Sequence, residues 1–286
     1  MVGEICAFFG GTRLFELFIA HFTFYIVNPM IRYPILFEDL WLIAIDKPAG
    51  VLSHPNLKGP SHPCAFEGSY DMEERRFCTL HAPFPFLWLV HRLDRDTSGV
   101  LVAAKQTEVA RKCRKLFENH EIHKTYLALV RGKPSPRLGK WRDHLKKQTF
   151  KGMVRSILLP NRPPNAELQY KILSTFLIPH TSFSAPYSGF LSLLEITPLT
   201  GRTHQIRVQA AARNHPIGGD RIYGDFAFNR ELRQQVGLQR LFLHAWRLEF
   251  HHPITQQPVR LEAPLAEALN RCLNQLRKHE PCTHPK

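Results

Sequence analysis

Between two apolar runs, residues 89 to 105 read LVHRLDRDTSGVLVAAK and gather His91, Arg92, Asp94, Arg95, Asp96, Thr97 and Ser98 into one short segment. A strand should end there, turn, and start again at VLVAAK, with Gly99 letting the backbone bend back. A turn between strands is where a scaffold can hold a reactive side chain rigidly in the open. Asp94 is the candidate, because an ionised carboxylate there could act as nucleophile or as base. An aspartate in a polar turn ordinarily caps local amides, as Thr97 and Ser98 also can, so it needs partners to be more than a cap.

Two partners stand elsewhere in the chain. TGRTHQIRVQ sets Arg202 at the mouth of a helix after a strand, where a guanidinium could pair bidentately with a carboxylate and keep it ionised. HKTYLALV sets Tyr126 in an alternating strand, on the face opposite Thr125 and Leu127. Read alone, Arg202 is a surface arginine and Tyr126 a half-buried core ring. Beside an Asp–Arg pair, the same ring could stack on a nucleobase.

The elements that must position these residues follow from periodicity. ILFEDLWLIAIDKPAGVLSHP reads as two short strands with turns at Glu38-Asp39 and at residues 47 to 50. Residues 55 to 85 are rich in Pro, Gly and Ser and read as loop, with room for a short helix. TEVARKCRKLFENH is an amphipathic helix with Val109, Ala110, Cys113, Leu116 and Phe117 on one face. KTYLALVRG is a strand, residues 133 to 165 an exposed excursion, and AELQYKILS and FLSLLEITP further strands. QIRVQAAARNHP is helical, with Ile206, Ala210 and Ala211 to one side and Pro216 ending it. RLFLHAWRLEFHHP is strand broken before Pro253, and PLAEALNRCLNQLRKH closes as an amphipathic helix. Many strands with a few segregated helices predict an α+β fold on a mixed, mainly antiparallel sheet. No βαβ rhythm or G-x-G-x-x-G motif supports a dinucleotide fold.

Composition bounds the partners. The 286 residues carry 38 Lys and Arg against 24 Asp and Glu, a net charge of +14, which favours a polyanion such as nucleic acid. The 6 cysteines form no C-x-x-C pair and no disulfide framework, which points to a reducing cytoplasm. The 16 histidines lack zinc-ligand spacing, so no metal is expected. LFELFIAHFTFYIV, residues 14 to 27, is apolar but short for a membrane span and carries Glu16 and His21. Residues 1 to 34 therefore read as an N-terminal extension, non-native upstream of a start at Met30, and no membrane partner is expected.

HRLDRDTSGVLVAAK resembles the signature of the RluA-type RNA pseudouridine synthases. The resemblance extends to AIDKPAGVLSHP, HKTYLALVRG, TGRTHQIRVQ, HPIGGDRIYG and LHAWRLEFHHP, in family order, from about Ile35 to Leu261. It implies a catalytic domain over residues 35 to 280, with a sheet in two halves around a central cleft. It makes Asp94 the catalytic aspartate, Arg202 its salt-bridge partner, and Tyr126 the ring that stacks on the target base and serves in proton removal from C5. Arg92 would lie beside the flipped nucleotide, and Ile206 and Leu243 would wall the pocket. Residues 1 to 34 are too few and too apolar for the S4-type RNA-binding domain that many relatives carry.

The implied reaction breaks the N1–C1′ bond of uridine and joins C5 to C1′. It is a redox-neutral isomerisation needing no cofactor. An ionised carboxylate starts it, by attack at C1′ or by removing a ribose proton, and the sequence does not choose between them. The freed uracil must turn without escaping, which calls for a water-poor pocket and a stacking ring. The target must also leave its helix or loop. The expected partner is tRNA or large-subunit rRNA, met by a monomer; the insert GDFAFNRELRQQVGLQRLFLHA has a flavour of the tRNA branch. Gln209 stands where many relatives have His, which puts an RNA contact there in doubt. Two rivals remain: a catalytically silent RNA-binding protein on the same scaffold, and a glycosylase using Asp94 alone, which would release uracil.

Overall fold

The pattern of Leu42-Ile43-Ala44-Ile45 explains the start of the chain's order. Leu42 and Ala44 enter one apolar cluster, Ile43 and Ile45 another, so this strand is covered on both faces. The protein, seen in a computed structural model, is described for residues 31–55, 62–78, 84–150, 153–178 and 189–278. The apolar stretch at 14 to 27 and Met30 lie outside those residues. Among the described residues no helix is long and apolar enough to cross a membrane.

In chain order the strands are β1 (Ile35–Glu38), β2 (Leu42–Lys47), β3 (Ser69–Asp71), β4 (Arg76–Cys78), β5 (Phe86–Leu89) and β6 (Ser98–Ala104). Helix α1 (Thr107–Glu118) leads to β7 (His123–Arg131), β8 (Leu138–Asp143), β9 (Leu145–Phe150), β10 (Met153–Leu158), β11 (Ala166–Leu177) and β12 (Phe190–Pro198). Then come α2 (Gln205–Ala212), α3 (Phe226–Val236), β13 (Leu243–His251), β14 (Pro258–Glu262) and α4 (Glu267–Lys278). The main sheet runs β3-β4-β5-β6-β13-β7-β12-β11-β8, with β1 and β2 joined through β6 and β14 through β13. β13 pairs parallel with β6, and the other strand pairs are antiparallel. This is the mixed, mainly antiparallel α+β architecture expected.

One join decides the geometry of the site. β13 lies between β6 and β7, and its Ala245 faces Gly99 on one side and Tyr126 on the other. A Cβ on Gly99 would stand 2.1 Å from the Ala245 carbonyl oxygen, and its φ of +114 is one that L side chains rarely adopt. Glycine at 99 is therefore a condition for bringing the Asp94 loop alongside Tyr126. The helices seal the two halves: α1 covers β2 and β6 through Val109, Ala110 and Cys113, while α2, α3 and α4 pack on β7, β11 and β12.

Two expectations need refinement, and one segment left unassigned gains a helix. The stretch from 55 to 85, read as loop with room for a short helix, contains the β3–β4 hairpin among its described residues, and β4 pairs with β5. The 133 to 165 excursion holds β8 and a separate two-stranded hairpin, β9–β10. The insert after Gly224 forms α3, capped by Asp225, whose carboxylate accepts from the amides of Ala227 and Phe228, and closed by Gly237 at φ 69.

Candidate active site

The loop between β5 and β6 is held at both flanks. Ser53 accepts the Leu93 amide and donates to the Leu93 carbonyl, both at 2.9 Å. Lys47, wholly buried, donates to the carbonyls of Pro48, Val51 and Arg95 at 2.9, 2.8 and 3.2 Å. Burial, with Arg240 nearby, lowers the Lys47 amine to about 7. Thr97 donates its amide to the Asp94 carbonyl at 3.1 Å, closing the turn. Inside the loop, His91 accepts the Val102 amide through Nε2 at 3.0 Å and stacks on Phe117. Burial drives its pKa to about 3, so it is a neutral structural ring.

Asp94 is then pointed at α2. Its Oδ2 accepts from Nη1 of Arg207 at 3.2 Å, and its Oδ1 stands 3.8 Å from Nε2 of His204. Arg207 turns its other edge to Asp220 in a two-bond fork, Nε to Oδ2 and Nη2 to Oδ1, each 2.8 Å. Its side chain is 3% exposed and that of Asp220 1%, against 20% for Asp94. Burial opposes a charge on Arg207, but the two carboxylates more than offset it and raise its pKa. Burial likewise would raise Asp220, yet the Arg207 fork and the amides of Ile222 and Tyr223 hold it below the usual carboxylate range. Gly219 makes this possible, since at φ +77 a Cβ would lie 2.0 Å from the Arg240 carbonyl oxygen.

The partner expected at Arg202 is therefore Arg207, five residues on. Arg202 is exposed and gives its Nε to the carbonyl of Asn165 at 3.0 Å. It precedes α2, whereas Arg207 sits within the helix, where Gln205 through Ala210 are all buried. Arg202 still lines the cleft that holds Asp94, as do Arg92, Tyr126, Ile206 and Leu243. That cleft has a volume of about 610 Å³. Arg92 is exposed, while Ile206 and Leu243 are buried walls at 6% and 3% exposure. Tyr126 is half-buried beneath it, and burial followed by the Asp94 charge pushes its phenol well above the ordinary range.

Gln209 faces away from this cleft. It is wholly buried and donates to Asp143 Oδ2 at 2.6 Å, while Arg213 grips the same carboxylate. Asp143 ends β8, so this pair fixes the root of the β9–β10 hairpin on α2. The residues that sequence reasoning missed are Arg207, Asp220, His204 and Lys47. Arg207 falls three and four positions before Ala210 and Ala211, on the apolar side of its helix, and an arginine on that side needs a buried partner. HPIGGDRIYG supplies it in Asp220.

The cleft thus brings a partly exposed carboxylate, a buried guanidinium and an aromatic ring together on this two-part sheet. Comparison with known proteins gives the chain's class. The family described as RNA pseudouridylate synthase matches residues 41–212. Ribosomal large subunit pseudouridine synthase C of Escherichia coli K12 is 39% identical over 245 residues, 85% of this chain and 70% of that protein. The protein of the same name from Pasteurella multocida is 37% identical over 247 residues, 86% of this chain and 68% of that one. Among solved structures, human RNA Pseudouridylate Synthase Domain Containing 4 superposes with a TM-score of 0.61 at 25% identity, covering 85% of this chain and 93% of its own. The chain belongs to the RluA-type RNA pseudouridine synthase family, and it is an isomerase of that class.

Proposed function

We propose that this enzyme converts uridine in large-subunit ribosomal RNA to pseudouridine with Asp94 as the reacting carboxylate. The observation that carries the chemistry is the Asp94–Arg207 pair at the edge of the cleft: a carboxylate held by a buried cation, with one face open to substrate. The substrate class rests on the relatives, whose names specify the large ribosomal subunit. Residues 35 to 280 act as the catalytic unit, a monomer in the cytoplasm, with the +14 charge serving the phosphate backbone.

In this reading Arg92, at the exposed mouth, takes a phosphate beside the flipped nucleotide, and Arg202 takes another. Ile206 and Leu243 close on the uracil and keep water from it. Asp94 starts N1–C1′ cleavage. The freed uracil turns on the Tyr126 ring, C5 bonds to C1′, and C5 then gives up its proton while N1 gains one. Because burial holds the Tyr126 phenol protonated at neutral pH, its oxygen can accept the C5 proton only as its own hydrogen leaves. Asp94, whose charge the phenol feels, is the base in reach.

The test maps pseudouridine in total RNA by carbodiimide-dependent reverse-transcription stops. It compares wild type, a deletion strain, and the deletion complemented with Asp94→Asn. Stops in large-subunit RNA should vanish on deletion and stay absent with the Asn form. Loss confined to tRNA would move the substrate and leave the chemistry intact. Full restoration by Asp94→Asn would remove the aspartate from its role and favour a silent RNA-binding protein.

A further inference from the structure

The Asp94 carboxylate has a second neighbour besides Arg207, and that neighbour belongs to a chain of contacts leading out of the cleft. His204, the residue before α2, has a left-handed backbone with φ 54, which turns its ring back towards the Asp94 loop. Its Nε2 lies 3.8 Å from Asp94 Oδ1 and its Nδ1 3.0 Å from the Tyr223 hydroxyl. The hydroxyl accepts the Ser156 amide at 2.7 Å and stands 3.2 Å from the Ser156 carbonyl oxygen. Ser156, in β10, also gives its own hydroxyl to the carbonyl of Thr203 at 2.6 Å. The chain Ser156–Tyr223–His204 thus runs from the β9–β10 hairpin to within 3.8 Å of the Asp94 carboxylate, a gap that a small closing movement would turn into a hydrogen bond.

The one hydroxyl hydrogen decides what His204 shows to Asp94. Donated to Nδ1, it leaves the ring proton on Nε2, facing the carboxylate. Donated to the Ser156 carbonyl instead, it requires Nδ1–H to give to the phenol oxygen, and the bare Nε2 lone pair then faces a negative charge. The shorter contact to Nδ1 and the charge on Asp94 both select the first arrangement. Burial keeps the ring neutral against the pull of Asp94.

We propose that His204 is a positioning residue for the reaction, with Tyr223 fixing its Nε2–H tautomer so that it orients Asp94 Oδ1, and with Ser156 making that tautomer depend on the seated β9–β10 hairpin. Arg207 already holds one carboxylate oxygen, and closure of the 3.8 Å gap would let His204 fix the other, so that the aspartate presents one orientation to C1′. The hairpin carries exposed Lys146 and Lys147, which suit it to lie against a polyanion. RNA that pressed the hairpin down would tighten the chain to Asp94. The inference rests on the pseudouridine synthase reading of the cleft.

Two measurements on the full chain test it. Long-range proton–nitrogen NMR of the imidazoles, with His204 assigned by its loss in His204→Gln, should show Nδ1 as acceptor and Nε2 protonated. A ring protonated on Nδ1 would overturn the proposal. Tritium release from RNA labelled with [5-³H]uridine, prepared from a strain lacking the protein, gives the kinetic arm. His204→Leu should lower kcat at least tenfold with KM within threefold. His204→Gln, whose amide nitrogen can replace Nε2–H, should restore most of that loss, and Tyr223→Phe should fall between them. Equal loss in the Gln and Leu forms, or a loss carried by KM, would leave His204 a merely structural residue. A wild-type protein that releases no tritium would defeat the functional reading itself, while the tautomer could still be read.

Discussion

Replacing Arg207 with methionine should cost this enzyme both stability and activity, and in amounts the geometry sets. The guanidinium is shared by Asp94 and Asp220, and its own side chain is 3% exposed. Removing one partner of a buried ion pair typically costs about 3–5 kcal/mol, because the remaining charge is left without compensation. Here Asp220 keeps the amides of Ile222 and Tyr223 at 2.8 and 3.1 Å, which places the loss near the lower end, about 3 kcal/mol. A domain of ordinary stability, roughly 5–15 kcal/mol, stays folded under that loss. Asp94 is freed to rotate, and a misplacement of about 1 Å at a reacting group can cost on the order of 100-fold in rate. Arg207→Lys keeps a charge but cannot fork to Asp220 and reach Asp94 together, so it should recover stability more than rate. Arg202→Met is the comparison: its contact is a carbonyl at the surface, and its stability change should lie within about 0.5 kcal/mol. Its rate loss should appear in KM. Guanidinium denaturation with tritium release at saturating RNA measures both. If Arg202→Met abolishes turnover while Arg207→Met stays within tenfold of wild type, the reassignment from 202 to 207 is wrong.

Tyr126→Phe should keep RNA binding yet slow loss of the C5 proton, because the ring remains and the phenol oxygen is gone; Tyr126→Ala should lose both. Since burial and Asp94 raise the phenol, the wild-type rate should show no step from Tyr126 between pH 7 and 10, and a step abolished by the Phe form would contradict this. Stability should fall in mild acid through His244, which is wholly buried, accepts from Ser98, and gives Nε2–H to the Ala263 carbonyl. Burial lowers its pKa to about 4 from 6.5, so the unfolded chain binds the extra proton and stability declines as pH drops through that window. At pH 5 the loss is ~2 kcal/mol by linkage, and His244→Asn should flatten the corresponding part of a denaturation midpoint–pH curve. RNA affinity should weaken with salt, and Arg92→Ala should reduce the log–log salt slope by about one if that residue holds a phosphate.

Much of the fold was legible because its strands obey one period and its helices another. Leu42 to Ile45 alternate between two cores, and α1 and α4 carry their apolar residues on one stripe. The β3–β4 hairpin was hidden by its length, three residues a strand, too short for alternation to register among prolines and glycines. α3 carried its own signals, Asp225 at the start and Gly237 past the end, but its stripe of Phe228, Leu232 and Val236 is thin. Asp94 and Tyr126 could be read as candidates because loop position and strand face are local properties. Which arginine meets Asp94 is not local. It depends on β13 passing between β6 and β7 and on α2 folding back over that join.

The choice between Arg202 and Arg207 shows how burial outranks proximity to a helix mouth. Both residues lie in one ten-residue motif, and either could reach a carboxylate by length alone. An arginine at a helix mouth sees water, and an exposed pair contributes roughly 0–1 kcal/mol. An arginine in the first turn of a helix whose first six residues are buried must find full compensation or the helix cannot dock. Asp220 takes two of its five donors, and Asp94 takes a third. The Gly218–Gly219 turn is what delivers Asp220, since Gly219 alone tolerates the Arg240 carbonyl against its Cα. The Asp94–Arg207 pair is therefore a product of a turn, a helix and a sheet crossing that are distant in sequence. Asp94 remains the more exposed of the two carboxylates, so the same arrangement that makes Arg207 structural towards Asp220 leaves it free to set the orientation of the carboxylate at the cleft.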